Sequence, residues 1–220
     1  MAKVVIIGGS KGIGLETVKQ ALACGHTVTA FARSASGIRL SSDKLRKLDG
    51  DALVPGDVGT AVSEADVVIQ ALGVPFNARL LRGPITLFSD ATRVLIPALK
   101  KARVQRLIAV TGYGAGDSKA SISLFERLPF DLVFGRAYSD KSIQEDLIKQ
   151  SGLDWTLARP GVLTNGAKTE RYDVITDLQR MKNGIIARAD VAHFLVNQIG
   201  SDQYVGQAPV LRGRLQGVPN

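Results

Sequence analysis

Cysteine is almost absent from the chain: Cys24 is the only one among 220 residues. A single cysteine cannot form an internal disulfide, which excludes a disulfide-stapled fold and favours a cytoplasmic setting. Cys24 falls inside the first helical pattern, where we expect a small, buried, apolar side chain. With the only two histidines, His26 and His193, it forms no spacing typical of a zinc site, so we expect no metal centre.

Long hydrophobic runs are missing as well. No stretch approaches the roughly 20 apolar residues that cross a bilayer, and the N-terminus enters a core strand directly, so we expect neither a membrane span nor a signal peptide. Lysine and arginine (28) outnumber the acids (20), for a net charge of +8, but they are spread along the chain. Without a basic stripe we expect no nucleic-acid partner. The charge marks either an ordinary solvated surface or a field that attracts an anionic cofactor and substrate.

The first 22 residues contain a complete pattern for binding a diphosphate. Residues 4–7 (VVII) form an apolar run typical of a strand buried on both faces, and a glycine-rich turn and a helical pattern follow. In this pattern Gly8 takes the unusual backbone angles of the turn, Gly12 lets the chain approach the phosphates, and Gly14 lets the helix pack close to the strand. The dipole of the helix then faces the anion.

The turn has the spacing Gly-x-x-x-Gly-x-Gly, in the form GGSKGIG. This spacing resembles the short-chain dehydrogenase/reductase family more than the commoner Gly-x-Gly-x-x-Gly pattern. The resemblance implies a nicotinamide cofactor, with contacts from Gly8, Ser10, Lys11, Gly12 and Ile13.

The end of the second predicted strand, residues 27–31, bears on the choice between NAD and NADP. Arg33 and Ser34 stand where NAD-binding folds usually place an Asp or Glu that accepts from the ribose 2′-hydroxyl. A carboxylate would repel a 2′-phosphate, whereas a guanidinium binds it with two hydrogen bonds. Lys11 adds a second positive charge, and the pair resembles the NADP-preferring pattern of the family. We therefore predict NADPH as the cofactor; the alternative is that both are ordinary surface charges.

Strands and helices alternate along the chain, which predicts an α/β fold: a single Rossmann-type doubly wound parallel sheet with helices on both faces. We expect one NAD(P)-binding domain over residues 1–220, with substrate-side loops near residues 74–85 and 164–182. Residues 37–48 are predicted as a loop and a short helix. Residues 52–58 are predicted as the third strand and its exit.

Two segments are expected on the adenine side. The triplet Gly-Asp-Val that ends at residue 58 resembles the adenine site of the family, in which Asp57 caps the adenine amino group and Val58 packs on the ring. After the next predicted strand, Ala71, Leu72 and Gly73 would line the adenine ribose, where small residues let the cofactor pass.

Thr111 follows the predicted strand 105–110 and matches the Ser or Thr that hydrogen-bonds the reacting carbonyl in well-known short-chain reductases. Those enzymes then use Tyr-x-x-x-Lys, in which the tyrosine donates the proton. This chain has Tyr138 and Lys141 with only two residues between them, and each residue turns a helix by about 100°. We therefore do not assign Tyr138 as a standard catalytic acid. Tyr113, beside the predicted site, either donates a proton instead or only packs.

The C-terminal half resembles atypical members of the family. The series K…E…SGLDWT…RPG, followed by RADVA, is similar to NAD(P)H-binding, NmrA-like proteins and to the biliverdin-IXβ reductase/flavin reductase group. The resemblance implies that Lys141 reaches the nicotinamide ribose. It also implies that residues 160–163, including Pro160 and Val162, run along the nicotinamide.

The missing tyrosine motif favours a reductase that passes hydride from NADPH to a conjugated small molecule, such as a flavin or a quinone. Such an acceptor delocalises the incoming charge, so solvent can deliver the proton and the protein mainly positions the two rings. Two alternatives stay open: an NmrA-like sensor that binds NADP(H) without chemistry, and an epimerase or dehydratase, against which the missing motif argues. Both a monomer and a homodimer are compatible with the resemblance.

Overall fold

The computed structural model describes residues 1–74, 85–121 and 124–214. The strands in these ranges are β1 (Lys3–Ile7), β2 (Thr27–Ala32), β3 (Leu45–Asp49), β4 (Val67–Gln70), β5 (Arg106–Val110), β6 (Asp154–Pro160), β7 (Val162–Thr164), β8 (Tyr172–Ile175), β9 (Ile185–Ala187) and β10 (Val210–Gly213). The α-helices are α1 (Gly12–Ala23), α2 (Pro55–Val62), α3 (Leu87–Ala102), α4 (Leu124–Lys149) and α5 (Arg188–Asn197).

Eight of these strands form one sheet in the order β3-β2-β1-β4-β5-β6-β10-β8. Neighbouring strands are parallel except at one edge, where β8 runs antiparallel to β10. A second, two-stranded parallel sheet joins β7 to β9. The strand order starts from β1 and runs outward in both directions, which confirms the predicted doubly wound Rossmann-type sheet.

Helices cover both faces of the large sheet because its central strands are apolar on both sides. Ile6 of β1 packs in a cluster with Phe194 of α5. Its neighbour Ile7 packs in a separate cluster with Leu95 of α3. Successive side chains of a strand point to opposite faces, so the uninterrupted apolar run VVII contributes side chains to the cores on both sides of the sheet.

The segment between β2 and β4 differs from the sequence prediction. The third strand is Leu45–Asp49, where we expected a loop and a short helix, and Pro55–Val62 is a helix where we expected the exit of a strand. β3 is an edge strand with exposed charged residues, so it lacks the apolar run that marks a buried strand. Pro55 starts α2, a position that suits proline because the first helical N–H groups have no intrahelical acceptor.

Two other expectations need correction. Cys24 is exposed at the C-terminal cap of α1, not buried. The segment 164–182 is more than a loop, because it contains β8 of the large sheet. Of the loop predicted at 74–85, residues 75–84 lie outside the described residues.

In the ranges that the structure describes, no helix combines the length and the apolar character needed to cross a bilayer. The same ranges hold no group of three or more His, Cys, Asp or Glu side chains placed to bind a metal ion.

Candidate functional site

The turn between β1 and α1 and the first residues of the helix favour glycine at Gly8, Gly12 and Gly14, and Gly12 has a positive φ of +55°. Gly8 has a φ of +84°, its N–H donates to the Phe31 carbonyl oxygen at 2.9 Å, and an added Cβ would lie 2.6 Å from the Ala71 carbonyl oxygen. A Cβ on Gly14 would overlap the carbonyl group of Gly8. These contacts confirm the predicted backbone role of Gly8 and the close packing predicted at Gly14.

The N-terminus of α1 is open to an anion. Lys11 precedes the helix without a side-chain hydrogen bond to it, and the first turn has no acidic residue. Beyond its own helix, a Cβ on Gly12 would meet only the side chain of Arg188, at 3.8 Å, among the described residues. The first N–H groups of a helix lack intrahelical acceptors and, with the dipole, favour negative charge. Flanked by half-buried Ser10 and buried Ile13, this cradle fits a diphosphate.

Arg188 brings a positive charge to the cradle from the distant C-terminal part of the chain. It is the first residue of α5, and its Nη1 donates to Asn165 Oδ1 at 2.8 Å. Gly12 and Arg188 both line a cleft of about 680 Å³ between α1 and residues 165–168. The sequence assigns Arg188 no role of its own beyond membership of the RADVA motif. Its position as a cationic residue at the start of a helix, directly after a short strand, is the feature of the sequence that could have indicated a site residue.

Residues 165–170, which we call the strap, pass beside the cradle and are fixed to α5. The carboxylate of Asp190, which is buried, accepts from the Thr169 N–H at 2.7 Å, the Thr169 hydroxyl at 2.8 Å and the Glu170 N–H at 2.8 Å. Glu170 has a φ of 60°. Arg188 holds the other end of the strap through Asn165. Two residues of one helix therefore determine where the strap lies.

Arg33 directly follows β2 and is exposed, as are Ser34 and Lys11. The turn that contains Arg33 is held by a carboxylate, because Asp49 Oδ1 accepts from the Ser36 N–H at 2.8 Å. Hydrogen bonds from Ser36 hold the pKa of Asp49 below its ordinary value. The sequence pattern does not predict a role for Asp49, because no predicted strand ends at this residue.

Asp57 and Val58, the residues predicted to contact adenine, do not follow a strand in the structure, and their contacts with a cofactor stay a prediction. Both residues lie in α2, where Val58 is fully buried in the core and Asp57 Oδ2 accepts from the Asp51 N–H at 2.9 Å. The residues that leave β3 at the carboxyl edge of the sheet are Gly50 and Asp51, a second Gly-Asp pair. Asp57 therefore supports Asp51 from the helix instead of standing at a strand exit.

Ala71 and Leu72, which follow β4, lie against Gly8 of the glycine turn, and Gly73 comes next in the chain. The Ala71 N–H donates to the Ile7 carbonyl oxygen at 2.8 Å, which extends the pairing of β4 with β1. Ala71 and Leu72 are half-buried and Gly73 is exposed. Their contacts with a cofactor stay a prediction.

Thr111 follows β5 at the same edge of the sheet, but its hydroxyl faces inward. It donates to Glu145 Oε1 at 2.7 Å, and Thr111 is only 1% exposed. Glu145 is fully buried and is also paired with Arg159, whose Nε lies 2.9 Å from the same oxygen. The Thr111 proton is thus held by a buried ion pair. The catalytic role predicted for Thr111 stays a prediction and would require this hydrogen bond to break.

Lys141 lies between two aromatic rings. Its Nζ donates to the Thr111 carbonyl oxygen and stands 5.0 Å from the ring centroid of Phe88 and 5.4 Å from that of Tyr138. Burial lowers the pKa of Lys141 to about 8, although the negative charge of Glu145 acts in the opposite direction. Burial also raises the pKa of Tyr138. The shortened spacing still places both side chains on one face of α4, since three residues turn a helix by about 300°.

Tyr113 is almost completely buried and packs with Met181 and Val210. Its N–H donates to the Pro160 carbonyl oxygen at 3.0 Å, which ties it to the end of β6. These contacts are those of a packing residue, and proton donation by Tyr113 stays a prediction. Val162, two residues beyond Pro160, is 56% exposed.

A family model described as NAD(P)H-binding matches residues 8–202, from the first glycine of the turn to beyond α5. The chain belongs to this NAD(P)H-binding family. The match confirms the resemblance inferred from the glycine turn and from the C-terminal motifs. The chain is similar in sequence to the uncharacterized protein YwnB of Bacillus subtilis (strain 168). The two are 28% identical over 192 residues, which cover 85% of this chain and 83% of YwnB.

Solved structures of similar proteins share the fold of this family member. ChuY of Escherichia coli CFT073 is 25% identical, with a TM-score of 0.80 and full coverage of both chains. ChuY of Escherichia coli O157:H7, described as an anaerobilin reductase, is 26% identical, with a TM-score of 0.80 over 99% of this chain and 98% of its own. A short-chain dehydrogenase/reductase of Veillonella parvula in complex with NADP has a TM-score of 0.82 over 99% of this chain and 96% of its own. At 15% identity it shows the fold alone.

Proposed function

We propose that this member of the NAD(P)H-binding family is an NADPH-dependent reductase that transfers hydride to a conjugated small molecule, such as a flavin or a quinone. The observation that carries the proposal is the inward hydroxyl of Thr111, whose proton is held by Glu145. A simple carbonyl acceptor needs an acid at its oxygen. A conjugated acceptor delocalises the negative charge and takes its proton from solvent, so it suits this site better.

The residues of the cradle fit the proposed cofactor. The N-terminus of α1 and Gly12 would hold the diphosphate, with Arg188 supplying a positive charge. Lys11 and Arg33 would bind the 2′-phosphate that distinguishes NADPH from NADH. Lys141 would donate to the nicotinamide ribose. When bound, the nicotinamide supplies a hydride, and one proton from water completes the two-electron reduction of the acceptor.

The similar ChuY of Escherichia coli O157:H7 supports a reductase, because it is described as one and matches nearly the full length of this chain. We extend the proposal to the organisation of the chain. Residues 1–220 would act as one NAD(P)-binding domain, and residues 74–85 and 164–182 would form its substrate side.

An NmrA-like sensor is the second candidate. In the buried network of Thr111, Glu145 and Arg159, the Thr111 proton is held by Glu145 and is not offered to a substrate. This arrangement is equally compatible with a protein that binds NADP(H) without catalysing a reaction. A sensor would bind the oxidised and the reduced cofactor and consume neither.

The test is NADPH oxidation by purified protein with flavins, quinones and simple carbonyls, alongside titration of NADPH and NADP⁺ binding. We expect turnover with the conjugated acceptors and none with the carbonyls. Comparable turnover with simple carbonyls would contradict the proposal. Tight binding of both cofactor forms, with no turnover on any acceptor, would favour the sensor instead.

A further inference from the structure

A buried ion pair lies beneath the segment that follows β5. Arg159, near the end of β6, donates from Nε to Glu145 Oε1 of α4 at 2.9 Å, and its Nη2 donates to the other oxygen of the same carboxylate. Both residues are fully buried. Two parallel hydrogen bonds between a guanidinium and a carboxylate fix the orientation of both groups. Glu145 therefore presents its oxygens in a set direction to the residues that pack on the pair.

The segment 111–118, which we call the arch, folds over this ion pair. Gly116 has a φ of +55°, and a Cβ there would overlap Glu145 Oε2. Asp117, the next residue of the arch, pairs with Nη2 of Arg159. The arch thus contacts both members of the ion pair, and its course depends on where they lie.

Thr111, the first residue of the arch, is bonded at both ends to one helix, α4. Its hydroxyl donates to Glu145 Oε1 at 2.7 Å, and its carbonyl oxygen accepts from Lys141 Nζ. Lys141 and Glu145 are four residues apart, so they are neighbours on one face of the helix. The carbonyl group that holds the Lys141 amine therefore belongs to the residue whose side chain the ion pair holds.

Stability alone does not account for a charged pair at this position. Removing two charges from water is costly, and well-packed apolar side chains of similar volume are often equally stabilising or more so. Apolar side chains would, however, offer no acceptor to the Thr111 hydroxyl and no partner to the Asp117 carboxylate. The charged pair therefore adds directional bonds to the arch that an apolar core could not supply.

We propose that Glu145 and Arg159 are positioning residues, which act through Thr111 to hold the Lys141 amine at the nicotinamide ribose. Both are fully buried, so they act on the cofactor only through other residues. The inference rests on the contact between Lys141 and this ribose in the proposed function. It gives Thr111 a role in cofactor binding, whereas the family resemblance implies a contact with the acceptor.

Two ligands separate the positioning of Lys141 from a general loss of structure. NADPH contains the nicotinamide ribose, whereas adenosine 2′,5′-bisphosphate lacks it and keeps the adenosine and the 2′-phosphate. Thr111→Val removes the hydroxyl but keeps the shape of the side chain, and Arg159→Lys keeps the charge but loses the paired hydrogen bonds. In titration calorimetry we expect each to weaken NADPH binding about fivefold, as for the loss of one hydrogen bond, and to leave bisphosphate binding unchanged. Thr111→Ser, which keeps the hydroxyl, should bind NADPH like the unmodified protein.

A double-mutant cycle tests whether the effect passes through Lys141. We expect Lys141→Met alone to weaken NADPH binding about tenfold or more, since it removes a charge-assisted hydrogen bond. Adding Thr111→Val to Lys141→Met should have no further effect, because the amine that Thr111 positions is already gone. A combined loss equal to the product of the two single losses would mean that Thr111 acts independently, and it would overturn the proposal.

Two matched variants control for the changes at a buried hydroxyl and at a buried guanidinium. Thr156→Val removes a buried hydroxyl from β6, where it donates to the Tyr204 carbonyl oxygen at 2.8 Å. Arg106→Lys alters a buried arginine at the start of β5, where it donates to the carbonyl oxygens of Asp154 and Gln198. Both variants should leave the affinities for NADPH and for the bisphosphate unchanged, whatever their melting temperatures.

The outcomes separate this inference from the proposed function. Equal weakening of NADPH and bisphosphate binding by Thr111→Val would indicate a general structural role and overturn the proposal. Lower turnover by this variant with unchanged NADPH affinity would place Thr111 at the acceptor and would also overturn it. The expected binding pattern without turnover on any acceptor would keep the positioning role and remove the reductase. Turnover of conjugated acceptors, with NADPH affinity insensitive to Lys141→Met, would remove the positioning role and keep the reductase.

Discussion

At the level of single residues, the proposed preference for NADPH over NADH depends on Arg33. We expect Arg33→Ser to weaken NADPH binding by about tenfold or more, since a charge-assisted hydrogen bond to a phosphate is worth about 1.5–3 kcal/mol. NADH binding should stay within about twofold, a difference below about 0.5 kcal/mol. Fluorescence titration of both cofactors measures this. Arg39→Ser, which removes another exposed arginine shortly after β2, is the control. Equal loss of NADPH and NADH affinity would contradict a 2′-phosphate contact.

Lys141 makes stability depend on pH in a direction opposite to that of a paired lysine. Its pKa falls from 10.5 to about 8 on folding because of burial, so between these values the unfolded chain binds more protons than the folded one. Stability therefore rises with pH across this window. We expect Lys141→Met to raise the melting temperature by several degrees near pH 7, with a gain that shrinks toward about pH 10. Thermal melts over this range test it.

Lys101→Met serves as the control for the Lys141 substitution, because Lys101 is exposed at the end of α3. It should shift the melting temperature little at any pH. A gain from Lys141→Met that is the same at every pH would mean that packing of the methionine is responsible, not removal of the buried charge.

At the scale of elements, the contact between the glycine turn and α1 allows no side chain. We expect Gly14→Ala to destabilise the protein by about 2–4 kcal/mol, because its Cβ would overlap the backbone of Gly8. Gly59→Ala, inside α2 with no atom near its added Cβ, should stabilise by about 0.5–1 kcal/mol through helix propensity. Urea denaturation compares the two. Similar effects of both substitutions would contradict the close approach at Gly14.

The strap should loosen when Asp190 loses its charge. Asp190→Asn weakens up to three hydrogen bonds to Thr169 and Glu170, and charge-assisted bonds of this kind contribute about 1.5–3 kcal/mol each. We expect faster amide hydrogen exchange at residues 168–171 and faster cofactor dissociation, with α1 unchanged. Asp146→Asn, on the exposed face of α4, is the matched control. Unaltered exchange in the strap would show that other contacts hold it.

Local sequence patterns predicted the strands that are buried on both faces. They did not predict the elements whose structure depends on their position in the folded protein. The run VVII predicts β1 because both cores need its side chains. β3 has exposed charges, since an edge strand is covered on one side only, and nothing local distinguishes Leu45–Asp49 from a polar loop. The site divides in the same way. Gly8 can be predicted from the sequence because a tight turn needs glycine there. Arg188 cannot, because it reaches Gly12 only through the packing of α5 on α1.

At the scale of the whole molecule, the net charge of +8 should act on cofactor association. A basic surface attracts an anion over distances set by the screening length, which is about 30 Å at 0.01 M salt and about 8 Å at 0.15 M. We expect the association rate of NADPH to fall severalfold over this range in stopped-flow experiments. The less charged NADH is the internal control and should show a shallower slope. Parallel slopes would mean that the surface charge does not steer the cofactor.

The packing of α1 on α5 also has a consequence for biosynthesis. The glycine turn leaves the ribosome long before the helix that packs on α1 and supplies Arg188, because α5 comes late in the order of elements. A nascent chain therefore holds the sequence of the cofactor cradle long before it holds the walls of the cradle. Capture of the cofactor in the complete cradle must therefore wait until α5 has been synthesised and has packed on α1.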